Sequence, residues 1–107
     1  MERDEIEEMF AGLGEVSIRR MFGGKGIYHH GLIIAVELRG EMMLKGDAVS
    51  APELEAAGAR RWAYEGKAGK PVLMPYWSIP DDAYDDPDEM AKWVRLAYAA
   101  ALRAPAK

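Results

Sequence analysis

The sequence predicts an α+β fold of two layers, an antiparallel sheet of about five strands with helices in the order α-β-β-β-α-β-β-α. Three observations carry that expectation. Ile6, Met9, Phe10 and Leu13 recur at helical spacing near the start. From Val16 to Gly46 the chain runs through strand-forming residues punctuated by glycine reversals. Near the end, Asp86-Pro87-Asp88-Glu89 has the composition of a helix entry. Runs of antiparallel strands covered by helices indicate an α+β domain of two layers.

The first helix is expected over about 3–13. Glu5, Glu7 and Glu8 lie off its apolar stripe, early acids suit the positive end of the helix dipole, and Gly14 supplies a C-cap. A meander follows over about 16–46. Val16 to Phe22 reads as a short strand or an extended arm leading into the reversal Gly23-Gly24-Lys25-Gly26. Ile27 to His30 is a strand and Gly31 a turn. Leu32 to Arg39 is the most strand-like segment, with Leu32, Ile34, Val36 and Leu38 alternating with Ile33 and Ala35. Arg39-Gly40-Glu41 reverses into Met42-Met43-Leu44-Lys45.

Ser50 and Glu53 have capping-box spacing around Pro52, which predicts a short helix over about 51–57 ending at Gly58. Strands are expected over about 60–65, with Trp62 and Tyr64 on one face, and about 72–79. Pro75 marks the second as bulged or at an edge. In the last helix, about 87–103, Asp86 is the N-cap, Pro87 is N1, and Met90, Trp93, Val94, Ala97 and Ala101 form the inward side; Pro105 ends it.

At 107 residues, half of them apolar and 30% charged, the chain has the composition of one soluble globular domain. It contains no cysteine, which removes disulfides, thiolate nucleophiles and cysteine-bound metals and is compatible with a reducing cytoplasm. Met1 to Glu8 carries five acids and one arginine, the opposite of a signal peptide, and no apolar run suggests a membrane span. Net charge is −4, unevenly spread: residues 16–80 hold nine bases against six acids, between two acidic ends. A basic middle of this kind can present an anion-attracting face, although an acidic chain argues against stand-alone nucleic-acid binding.

The candidate binding residues cluster in two places. Arg19 and Arg20 offer guanidinium forks to a phosphate or carboxylate, beside Phe22, Gly23, Gly24 and Lys25. On an extended strand the two arginines point to opposite faces, so they converge only if the chain kinks at the glycines. A phosphate-loop reading fails, because Lys25 is followed by glycine and a strand rather than by Ser/Thr and a helix. Tyr76 and Trp77 supply the second set, large aromatics suited to a partner surface.

His29 and His30 are consecutive on a strand end, so they read as surface residues facing opposite ways rather than metal ligands. The acids of Asp81–Glu89 lack calcium-loop spacing, and helix capping accounts for Asp86, Asp88 and Glu89. No catalytic set, metal site or cofactor is expected.

The string Arg19-Arg20-Met21-Phe22-Gly23-Gly24-Lys25-Gly26-Ile27-Tyr28 resembles the opening motif of the TfoX/Sxy N-terminal domain, named after bacterial regulators of natural competence. Further pieces are similar in order and spacing: Leu13-Gly14, Met43-Leu44-Lys45-Gly46, Met74-Pro75-Tyr76-Trp77-Ser78-Ile79-Pro80, and Asp85-Asp86-Pro87 followed by Trp93. The likeness runs from about Leu13 to Ala101. It implies a secretion-chaperone-like fold and a non-enzymatic, cytoplasmic regulatory module acting through protein–protein contacts. The longer competence regulators carry a second, C-terminal domain, and this sequence stops just past its last helix.

Beside that leading expectation stand a small anionic-ligand binder using Arg19, Arg20 and Lys25, and a direct nucleic-acid binder. A protein partner is expected. So is a homodimer, through a sheet face presenting Ile33, Ala35 and Met43 with Tyr76 or Trp77 as anchor.

Overall fold

Three consecutive hairpins build most of the sheet in the computed structural model, which describes residues 1–21 and 23–104. Helix α1 (Arg3–Met9) precedes strands β1 (Ser17–Met21), β2 (Gly24–His29), β3 (Leu32–Leu38) and β4 (Glu41–Lys45). Helix α2 (Ala51–Ala56), β5 (Arg61–Glu65), β6 (Pro71–Ser78) and α3 (Pro87–Arg103) follow. The strands form one antiparallel sheet in the order β1-β2-β3-β4-β6-β5. There are six strands rather than about five, because residues 17–21 pair along β2 instead of forming an arm. At the second and third reversals both loop residues have positive φ: His30 50° and Gly31 81°, Arg39 53° and Gly40 83°. That is the pairing of a two-residue turn whose twist matches the strands it joins.

The first helix is shorter than its apolar stripe. It stops at Met9, and a turn follows in which Leu13 and Gly14 N–H both donate to the Phe10 carbonyl. Gly12 in this turn packs closely on α3, where a Cβ would come within 2.4 Å of the Ala91 Cβ.

Helix α2 is capped differently from its capping-box spacing. Ser50 makes no side-chain cap bond. Instead Asp47 Oδ1 accepts from the N–H groups of Val49 and Ser50, while Asp47 N–H donates to Ser50 Oγ. Helix α3 starts as expected: Asp86 accepts from the N–H groups of Asp88 and Glu89, and Met90, Trp93, Val94, Ala97 and Ala101 are buried.

The helices pack on one face of the sheet. Ile6, Phe10, Ile27, Ile34, Ala35, Met42, Leu44, Leu54, Trp77 and the inner side of α3 make a single core there. Strand β3 does not keep a strict period of two. Ile27 pairs with Ala35 while Tyr28 pairs with Ile33, so Ile34 is an extra residue in a bulge. Ile34 and Ala35 therefore both enter the helix-side core, and Val36 and Leu38 join Ile33 on the other face. The expectation that Ala35 lies on the uncovered face is corrected by this bulge.

Strand β6 is interior, between β4 and β5, so Pro75 is not at an edge. The bulge reading of Pro75 fits, since the β5–β6 register slips between Arg61 and Ala63.

Candidate functional site

Side-chain alternation sends Ser17, Arg19, Met21, Gly26, Tyr28, Ile33, Val36, Leu38, Met43, Lys45, Trp62, Met74 and Tyr76 to the face without helices. Val36, Met43 and Tyr76 are nonetheless buried there, with Met21, Ile33, Leu38, Trp62 and Met74 packed around them. Coiling of the sheet accounts for this. Gly23 of the first hairpin and Arg60–Tyr64 around β5 line one cavity of about 760 Å³. In a flat sheet β2 and β5 would stand four strand spacings apart, roughly 19 Å. The face is concave.

A second cavity of about 200 Å³ adjoins the first, and Leu38 and Trp62 belong to both. Its walls are Met21, Ile33, Val36, Leu38, Trp62, Met74 and Tyr76, apart from Lys25 at one end. This is a cleft for apolar side chains, and its methionines give it an adaptable lining. Glycine keeps the cleft open on the β2 side. A Cβ on Gly26 would meet Tyr28, Met21 and Ile33 at 3.0–3.4 Å, and one on Gly24 would strike the Glu37 carbonyl at 2.3 Å.

Cations surround the cleft. Arg19 lies over the Tyr28 ring with its guanidinium carbon 4.9 Å from the centroid, and Lys45 Nζ is 5.7 Å from the Tyr76 centroid. Arg39 and Arg60 line the larger cavity, where Glu41 is the acid. None of these four cations takes part in an ion pair among the described residues. Acids are concentrated elsewhere, on α1 and around the start of α3. Part of the basic middle of the sequence, Arg19, Arg39, Lys45 and Arg60, thus borders this face of the fold. Burial, and then the nearby Tyr28, push the Tyr76 phenol above its ordinary value, so it remains a neutral hydroxyl.

The candidates around the glycines are distributed over both faces. Arg19 and Tyr28 are on the concave side. Arg20 and Lys25 pair with each other across β1 and β2 on the helix side. Lys25 Nζ there donates to the Met1 carbonyl, and Glu37, opposite Lys25 on β3, stands 4.0 Å from the Met1 amino group and accepts from Gly40 N–H. Arg19, Arg20 and Lys25 do not converge on one point. The reversal is also tighter than Gly23–Gly26, since Met21 and Gly24 already pair and Lys25 and Gly26 lie within β2. Phe22 lies outside the described residues.

Tyr76 and Trp77 separate in the same way. Tyr76 reaches the concave face, whereas Trp77 is buried at 1% exposure on the helix side and donates its indole N–H to Glu55 at 3.0 Å. Trp77 therefore cannot anchor a partner on the open face. His29 and His30 also depart from expectation. Positive φ at His30 folds its ring back, so the rings stack with centroids 3.9 Å apart, and His29 is buried with Nδ1 2.7 Å from the Glu15 carbonyl. No cluster of three or more His, Cys, Asp or Glu among the described residues could hold a metal. No helix among them is long and apolar enough to cross a membrane.

Arg39, Lys45 and Arg60 were not singled out from sequence, although the charge imbalance of residues 16–80 pointed toward them. Their shared face depends on strand parity after the Ile34 bulge. Compared with known families, the chain matches the model of the TfoX N-terminal domain over residues 8–101. No curated protein matches it.

Proposed function

The chain belongs to the TfoX N-terminal domain family, and from that premise we propose that it is a non-enzymatic regulatory module that docks a partner protein on its concave sheet face. The occupant is a segment with one large apolar side chain and acidic flanks. The apolar side chain enters the Met21–Val36–Trp62–Tyr76 cleft, and the flanks lie against Arg19, Arg39, Lys45 and Arg60. One observation carries this reading: an apolar cleft left uncovered by the helices and bordered by cations that have no carboxylate partner among the described residues. The family assignment makes regulation the context, and the cytoplasm is the compartment we assign to it.

The alternatives draw less support from the same geometry. An anion clamped by Arg19, Arg20 and Lys25 would need groups on opposite faces of the sheet to meet. A single-stranded nucleic acid would need a row of free ring faces for stacking, but Tyr76 is buried and Arg19 lies over Tyr28, which leaves the exposed Tyr64 at the far strand.

Fluorescence anisotropy with a labelled peptide carrying one phenylalanine between aspartates and glutamates tests the proposal. We expect saturable binding that weakens as salt rises, and weaker binding of a lysine-flanked peptide. Equal binding of the two peptides, or no binding of either, would count against it.

A further inference from the structure

The free edge of β5 carries a second interface, and we infer that its occupant is a second copy of this chain. Strand β5 ends the sheet, paired to β6 on one side only. Its sequence, Arg61-Trp62-Ala63-Tyr64-Glu65, is complementary to itself when reversed. In an antiparallel pair about a two-fold axis through Ala63, Arg61 faces Glu65 of the second copy, Trp62 faces its Tyr64, and Ala63 faces Ala63. Each copy thus supplies the charge the other needs, as an isologous contact requires.

Exposure points to the same place. Among the large hydrophobics exposed in the described structure are Tyr64 at 48%, Val72 at 38% and Leu73 at 59%. Val72 is the cross-strand neighbour of Tyr64, and Leu73 that of Ala63. On the helix-side face the paired edge makes a row Leu73, Ala63, Ala63, Leu73, in which the small alanines leave room for the leucines to close over the axis. On the concave face Tyr64 of each copy meets Trp62 of the other. Tyr64, Val72 and Leu73, three of the six exposed large hydrophobics among the described residues, all fall within two strands of the axis.

The opposite edge offers a contrast. Antiparallel self-pairing of β1 centred on Arg19, or between Arg19 and Arg20, sets arginine against arginine. Like charges directly opposite disfavour such a pair. An unpaired strand is a template for further pairing, and charges are one device that blocks it. On β1 the charges block; on β5 they select one register. Pairing there continues the sheet through both copies and joins the two concave grooves across the axis, with Trp62 and Tyr64 at the seam. This contact does not depend on the docking reading for the cleft.

The test uses the full chain. Ala63→Cys introduces its only thiol, because the sequence has no cysteine. Directly opposed antiparallel residues have Cα atoms about 4.5 or 5.5 Å apart, within the range a disulfide spans. Mild oxidation is expected to convert Ala63→Cys into a covalent dimer roughly tenfold or more faster than Val49→Cys, an exposed site away from β5. Sedimentation of the native chain is expected to show a dimer. Glu65→Arg should raise its dissociation constant roughly tenfold or more, since two attractive cross-strand pairs become repulsive. Adding Arg61→Glu to Glu65→Arg should restore the dimer, provided its thermal unfolding shows that it folds. Arg61 also donates to the Met74 carbonyl and lies over Trp77, so the cysteine pair decides if the double variant does not fold. Equal oxidation of the two cysteine variants, or a native chain that stays monomeric up to hundreds of micromolar, overturns the inference.

Discussion

Arg19 lies over the Tyr28 ring across the first hairpin, with 4.9 Å between guanidinium carbon and ring centroid. The contact commits Arg19 to the concave face, while Arg20, its neighbour, serves the helix side beside Lys25. The two arginines are therefore separable by experiment. Arg19→Glu should weaken binding of the acid-flanked peptide about fivefold or more, the scale of a close charge–charge contact at a partly exposed rim. Arg20→Glu should leave it within about twofold, because its charge lies on the other side of the sheet. Anisotropy titrations of the two variants provide the comparison.

Glycine at position 46 is enforced by Trp77. A Cβ there would lie 2.6 and 2.8 Å from two atoms of the indole ring and 3.1 Å from Leu54. Trp77 is fully buried and tied to Glu55, so it cannot move aside cheaply. Gly46→Ala should cost about 1–3 kcal/mol through overpacking. Thermal unfolding should register this as a drop in Tm of about 4 °C or more.

Asp47 connects the entry of α2 to the end of α3. Arg103 donates to both carboxylate oxygens, at 2.8 and 2.9 Å. That contact first, then the N–H of Ser50, holds the Asp47 carboxyl at about 2, below its ordinary 3.8, despite partial desolvation. A carboxyl depressed by folding stabilises the fold above its ordinary value, and the contribution is lost as pH falls through about 2. Tm should fall between about pH 4 and pH 2, and fall less in Arg103→Gln, in which Asp47 loses its main partner. The difference should be modest because both groups are partly exposed. Calorimetry at a series of pH values measures it.

The cap of α3 is a simpler quantity. Asp86→Ala removes the acceptor for Asp88 and Glu89 N–H and should destabilise the domain by about 0.5–2 kcal/mol. Asp86→Asn should recover most of that loss, because asparagine caps nearly as well. Denaturant midpoints of the two variants, read at unchanged slope, test the pair.

Much of the architecture was legible because local signals agreed with the final packing. The Asp86-Pro87 entry, the inward side of α3 and the glycine-marked hairpins each follow from residue chemistry over a few positions. What was not legible depended on contacts distant in sequence. The Ile34 bulge reverses which residues of β3 face the helices, and nothing in Leu32–Leu38 announces it. Ser50 had the right spacing for a cap, but Asp47, fixed by Arg103 from the far end of the chain, took that role. Trp77 and Tyr76 looked interchangeable as anchors until strand parity put them on opposite faces. The cationic rim is a similar case: Arg19, Arg39, Lys45 and Arg60 are scattered along the chain and border one face only once the sheet has formed.

The central claim is that the concave cleft takes the apolar side chain of an acidic segment, and the methionines report on it directly. Met21, Met43 and Met74 belong to the concave face, whereas Met9, Met42 and Met90 belong to the helix-side core. Methyl NMR of methionine-labelled protein, titrated with the acid-flanked phenylalanine peptide, observes both faces in one spectrum. We predict saturable shifts at Met21, Met43 and Met74, with Met9, Met42 and Met90 unmoved. Shifts confined to the helix-side methionines, or none at saturating peptide, would contradict it.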